Sequence, residues 1–141
     1  MAEAFSFRQA EKLKKILGKY EVKYLFLGKS GAILLGYSDT TQDADLFVKK
    51  DPKNTKQLVT ALRKLKFKIH EKLESEILCG KDFIQIRTGP FDLDLIFAPD
   101  GIDSFEKAWS RHVQVHGFPV CHLDDIIRSK EKANREKMTT D

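Results

Sequence analysis

Two short stretches carry the chemistry of this chain: Asp43-Ala44-Asp45-Leu46-Phe47-Val48 and Phe91-Asp92-Leu93-Asp94-Leu95-Ile96-Phe97. In an extended strand, residues i and i+2 point to the same face. Each pair would therefore present two carboxylates on one side while Leu and Phe anchor the other. Carboxylate oxygens are hard donors suited to magnesium. Three of them on neighbouring strands could bracket two such ions about 3.5–4 Å apart, clamp a triphosphate and activate an attacking hydroxyl. With 12 Asp in the chain, a D-x-D triplet can arise by chance. Context raises these two, because Asp is disfavoured within strands and burying a lone carboxylate is costly. The alternative is that both pairs are solvated strand ends whose charge protects the sheet.

The elements that must position these residues follow from hydrophobic spacing. Ser6 with Gln9 makes a capping box, and Phe7, Ala10, Leu13, Ile16 and Leu17 follow at helical intervals until Gly18, where the helix is expected to stop. A strand from Lys23 to Leu27 should run into a turn at Gly28 to Gly31, followed by a short apolar helix over Ala32 to Leu35 and a second strand from Asp43 to Val48. Asp51-Pro52 opens a helix whose face is Leu58, Val59, Leu62 and Leu65. Phe67, Ile69 and the alternation beyond them predict a third strand, and Asp82 to Arg87 a fourth. Thr88-Gly89-Pro90 should join that fourth strand to Phe91–Phe97 as an antiparallel hairpin. A short helix over Asp103 to Trp109, extended chain from Val113 to Val120 broken at Gly117, and a final helix from Leu123 to about residue 137 complete the chain. Helices alternate with strands and one strand pair is a hairpin, which predicts an α+β fold of two layers with a mixed, partly antiparallel sheet and helices packed on it.

Bulk properties narrow the classes. The 141 residues, 41% hydrophobic, suit one domain over 1–141 with a core spanning about 22–121. The net charge of +4 is mild and interspersed, which permits polyanionic ligands without demanding them. Cys79 and Cys121 make no C-x-x-C spacing and read as reduced thiols. No apolar run approaches the ~20 residues of a membrane span, and the N-terminus lacks the order of a signal peptide, so a cytoplasmic protein is expected. Gly28-Lys29-Ser30 imitates the end of a nucleotide-binding P-loop, but the position where that loop needs its first glycine is Lys23, and Tyr24-Leu25-Phe26-Leu27 is strand rather than cradle. His112, His116, Cys121 and His122 would be scattered by strand alternation, which argues against zinc. Trp109 with Phe105 reads as core.

The order strand, Gly-Ser turn, short helix and D-x-D resembles the polymerase-β-like nucleotidyltransferase superfamily. It is most similar to the small bacterial branch that includes AbiEii-type toxins. Ala32, Gly36, Thr41, Asp43 and Asp45 fall on matching positions, and the run from Leu123-Asp124-Asp125-Ile126-Ile127 through Lys130, Ala133, Arg135 and Lys137 is similar to that branch's last helix. The branch's glycine pair is Lys29 and Ser30 here, its histidine is Leu35 and its arginine is Asp39. The resemblance implies a nucleotidyltransferase fold with Asp43, Asp45 and Asp94 as metal ligands and catalytic carboxylates. Asp92 is the rival for the third position. Gly28, Lys29 and Ser30 would lie beside the triphosphate, with Lys130, Arg135 and Lys137 neutralising phosphate charge.

The function expected is a Mg2+-dependent enzyme, using two ions, that transfers a nucleoside monophosphate from an NTP to the hydroxyl of a small molecule, RNA or protein. The alternative is a non-catalytic module that binds nucleotide, RNA or an antitoxin-type protein partner. Either could serve as a toxin–antitoxin component.

Overall fold

The chain enters helix α1 (Phe7–Lys19) with the Ser6 backbone N–H donating to Gln9 Oε1 at 3.1 Å. The computed structural model describes residues 5–38 and 41–139, with the side chains of the last helix described through residue 134. Ala10, Leu13 and Leu17, one helical stripe, are fully buried. Gly18 does not stop α1. The chain reverses at Glu21, in the left-handed region at φ 56, and Val22 donates back to the Leu17 carbonyl at 2.9 Å.

Strand β1 (Tyr24–Leu27) is buried at every residue and leads without an intervening turn into α2 (Gly28–Leu34). The expected Gly28–Gly31 turn is therefore the first turn of this helix, and the bend is made at Gly28, φ +61. Strand β2 spans Asp43–Val48. Helix α3 (Pro52–Lys64) starts with Pro52 in its first turn and the Asp51 carboxylate accepting from the Asn54 N–H at 3.1 Å.

The predicted third strand is a helix, α4 (Glu71–Cys79). Phe67 and Ile69 are buried as alternation suggested. His70 Nδ1 then accepts from the Leu73 N–H at 3.2 Å, Leu73 and Ile77 form an i, i+4 buried pair, and left-handed Gly80 ends the helix. Local capping overrides the short alternation before it. Strands β3 (Phe83–Ile86) and β4 (Asp92–Ile96) form the predicted antiparallel hairpin. Helix α5 (Phe105–Arg111) precedes a second hairpin, β5 (Val113–Val115) with β6 (Phe118–Val120), turning at His116 and Gly117, both at positive φ. Helix α6 (Leu123–Thr139) ends the described chain.

The six strands form one mixed sheet in the order β3-β4-β2-β1-β6-β5. The outer pairs β3–β4 and β5–β6 and the central pair β1–β2 are antiparallel, while β2–β4 and β1–β6 are parallel. This is the mixed α+β architecture expected. Ala44, Leu46 and Val48, with Leu93 and Leu95 beside them, are entirely buried on one face. Phe26 packs near edge-on against Phe118 with centroids 5.9 Å apart. On the other face Phe47 meets Phe105 of α5 at 5.2 Å. Among the described residues no helix is long and apolar enough to cross a membrane.

Asn54, whose side chain is buried, clamps the start of β1 to the end of β2. Its amide nitrogen donates to the Lys23 and Lys49 carbonyls at 3.0 and 2.8 Å, and its oxygen accepts from the Lys23 N–H at 2.7 Å. The substitution Asn54→Ala removes the side-chain partner of the Lys23 N–H and of the Lys49 carbonyl, while the Lys23 carbonyl keeps the Lys49 N–H at 3.2 Å. It should cost roughly 2–4 kcal/mol in denaturant unfolding with an unchanged m-value. A loss below about 1 kcal/mol would show that solvent reaches the clamp.

Candidate active site

The site is built where β1 ends and β2 and β4 begin. Antiparallel pairing sets Leu27 opposite Asp45, and parallel pairing sets Asp43 beside Asp92 and Asp45 beside Asp94. Register partners on adjacent strands point the same way, so four carboxylates share one face. The structure thus brings Asp43, Asp45, Asp92 and Asp94 together.

Gly28 is required by this arrangement. A Cβ at that position would lie 2.3 Å from Asp45 Oδ2, and its backbone is left-handed. Ser30, two residues on, is fully buried. Its hydroxyl donates to the Leu27 carbonyl at 2.8 Å and accepts from the Asp45 N–H at 3.0 Å. The serine expected to face a phosphate therefore faces inward and ties the first turn of α2 to the backbone of Asp45.

The residue that sequence reasoning missed is Arg87. Its guanidinium sits among the carboxylates, with Nη1 3.0 Å from Asp94 Oδ1, Nη2 3.3 Å from Asp43 Oδ2 and Nε 3.7 Å from Asp92 Oδ2. The signal was present in the hairpin. Gln85 pairs with Asp94, so the next residue on the same face, Arg87, comes beside Asp92.

One guanidinium does not balance four carboxylates. Burial, then the charge and hydrogen bond of Asp94 and the charge of Asp43, push the Asp45 carboxyl up to about 8 against the opposing pull of Arg87. Burial also raises Asp94, which the Arg87 hydrogen bond counteracts. Both carboxyls are therefore driven towards the protonated form.

A cavity of about 540 Å³ opens over this face, lined by Gly28, Lys29, Asp43, Asp45, Asp94 and Lys130. Ile96, Ile126 and Ala133 give it an apolar wall. Helix α6 is set by Asp125, which is buried and held bidentately by Arg111 at 3.0 Å to each oxygen. From that anchor Ile126, Ser129, Lys130 and Ala133 recur at helical intervals along the cavity. Of the remaining predicted residues, Asp92 adjoins the cluster through Arg87 but is not a wall of the cavity. The side chains of Arg135 and Lys137 lie outside the described residues, as does Asp39. A hollow of about 600 Å³ among Lys23, Lys49 and Trp109 lies at the opposite ends of β1 and β2, away from the aspartates.

The donor chemistry fits a hard divalent cation: all-carboxylate oxygens, an excess of negative charge and a guanidinium standing as the cation in their midst. Among the described residues no three His, Cys, Asp or Glu side chains stand together as a ready-made metal cage. The carboxylates are turned towards Arg87 and each other.

No family model matches this chain, and no curated sequence does. Its fold is similar to that of a solved structure. The crystal structure of a putative nucleotidyltransferase from Thermotoga maritima is similar to it with a TM-score of 0.67, over 95% of this chain and 88% of that one, at 14% sequence identity.

The raised Asp45 carboxyl gives a pH signature with a definite sign. Below about pH 4 both folded and unfolded states are protonated there. Between 3.8 and about 8 the folded state keeps a proton that the unfolded chain has released. Stability of the metal-free protein should therefore fall as pH rises through this window, on the order of 1 kcal/mol per unit from this group, and level off above it. In Asp45→Asn, whose amide can still donate to Asp94, that component should vanish, so the variant melts above wild type at pH 8 and not at pH 4. Parallel melting curves in EDTA across the window would refute the raised Asp45 carboxyl.

Proposed function

We propose that this protein is a divalent-metal-dependent nucleotidyltransferase that moves a nucleoside monophosphate from an NTP to an acceptor hydroxyl. The observation that carries the reading is the register that sets Asp45 beside Asp94, with Asp43 on the same face, in a cavity that Lys29 and Lys130 also line. Asp43, Asp45 and Asp94 would hold Mg2+, which supplies charge to the triphosphate and acidity to the acceptor hydroxyl.

The rest falls to the chain's own groups. Lys29 and Lys130 bind phosphate oxygens, and the Ile126 and Ala133 wall takes an apolar part of the nucleotide. One aspartate accepts the hydroxyl proton as the acceptor oxygen bonds to the α-phosphorus. The bond from that phosphorus to the β-phosphate oxygen breaks, and pyrophosphate leaves.

The Gly28–Asp45 and Leu123–Lys137 similarities support assignment to the AbiEii-like branch, with the acceptor a small molecule, RNA or protein and an antitoxin-type protein as partner. A second reading, a non-catalytic nucleotide- or partner-binding module, is favoured by one feature. Arg87 occupies the space between the carboxylates.

Calorimetric titration of each NTP with and without Mg2+, followed by pyrophosphate release over an acceptor panel, separates the two. The enzyme reading expects Mg2+-dependent binding. It also expects turnover that falls about a thousandfold in Asp45→Asn and Asp94→Asn, and a Lys130→Ala variant whose KM for NTP rises more than its kcat falls. Binding that ignores Mg2+, with no turnover, would leave the second reading in place.

A further inference from the structure

Arg87 makes three ion pairs on one guanidinium, to carboxylates on two different strands. Asp43 belongs to β2, while Asp92 and Asp94 belong to β4, so the contact bridges the parallel pair on which the whole site is built. The least exposed partner is Asp94, whose side chain is 8% exposed, and it receives the shortest bond, whereas Arg87 itself is 38% exposed.

Arg87 is thus a long side chain that reaches inward from a rim. Its base is fixed. Arg87 follows β3 directly, Thr88 Oγ1 donates to the Lys68 carbonyl at 2.7 Å, the Lys68 N–H donates to the Thr88 carbonyl at 3.2 Å, and Gly89 packs so closely on Phe67 that a Cβ there would fall 2.1 Å from its ring. The backbone cannot follow the head group, but β3 is an edge strand, so the side chain has solvent beside it into which to swing.

The oxygens that Arg87 holds on Asp43 and Asp94 belong to two of the carboxylates a divalent cation would use. A guanidinium and a divalent cation placed between the same strands repel each other, and neither gains enough from the carboxylates to tolerate the other at contact distance. We propose that Arg87 is the resident counter-ion of this site, occupying the place of the divalent cation and giving it up when that cation binds. It is a positioning residue. Without a metal it keeps like-charged side chains of β2 and β4 in register, and by the same contacts it sets how much divalent cation is needed to open the cluster. The inference rests on the nucleotidyltransferase reading only for the presence of a metal.

The test is calorimetric titration of Mn2+ alone, without nucleotide, into wild type, Arg87→Met and Arg87→Lys, together with melting temperatures in EDTA and in Mn2+. Arg87→Met keeps the stem and removes the charge. It should melt below wild type in EDTA, bind Mn2+ roughly tenfold more tightly, and recover its lost stability when Mn2+ is added. Arg87→Lys should fall between the two, and it carries the test if the methionine variant does not fold. A merely structural arginine would lower the melting temperature without tightening the metal. Wild-type binding of Mn2+ with equal or weaker binding in both variants would overturn the counter-ion role and leave the metal-dependent reading standing. No binding by any of the three proteins at millimolar Mn2+ would overturn both.

Discussion

Four carboxyl groups on one face of a sheet are the constraint around which this molecule is arranged. Parallel pairing of β2 with β4 fixes Asp45 beside Asp94 and Asp43 beside Asp92, and like charges directly opposite each other are unfavourable in any sheet. Burial makes the repulsion worse at Asp45 and Asp94. The register survives because the opposite face of the same strands is wholly apolar. Ala44, Leu46, Val48, Leu93 and Leu95 are removed from water by the alternation that presents the acids, and sliding either strand by one residue would exchange the two sets. The acids are held by the core beneath them.

The neighbouring features answer to that constraint. Gly28 is left-handed and bare because Asp45 Oδ2 fills the space of its side chain. Ser30 spends its hydroxyl on Leu27 and Asp45, so the helix carrying Lys29 cannot shift without moving the backbone of a site carboxylate. Arg87 and the raised Asp45 carboxyl reduce the net charge in the absence of any other cation. A protein selected for stability alone would remove the acids and would need none of these. Their joint presence is a mark of function, since strain and unbalanced charge persist where a site uses them.

Much of this was legible in the sequence. The D-x-D triplets, the hairpin that carries the second, and the Gly28–Ser30 stretch after β1 are local patterns, and strand alternation alone assigns their faces. The limits of β2 could be read to the residue. What was not legible depended on register or on competition between local signals. Arg87 reads only as the end of the fourth predicted strand until the β3–β4 pairing places it beside Asp92. Ser30 reads as a turn hydroxyl until α2 is seen to begin at Gly28. The strand predicted beyond Phe67 and Ile69 failed because two buried alternating residues do not outweigh a capped helix with Leu73 and Ile77 on one side. Asn54 gives no sequence signal, since its three partners are backbone atoms 31 and 5 residues away.

The charges around the cavity differ in kind, and that difference limits what can fill it. Its lining combines carboxylates, Lys29 from α2, Lys130 from α6 and the apolar Ile96, Ile126 and Ala133. A bare cation would satisfy the carboxylates and be repelled by the lysines, while a bare anion would do the reverse. The metal–nucleotide ligand of the proposed function would suit both, bringing a cation to the carboxylates, phosphate oxygens to the lysines and an apolar portion to Ile126 and Ala133. On α6, which packs on α2, the buried Asp125 is paired with the part-exposed Arg111 of α5. That pair lies outside the cavity lining and makes no contact with the aspartates. A loss of Arg111 would therefore act on the site through the direction of Lys130, with the carboxylate register of β2 and β4 left in place.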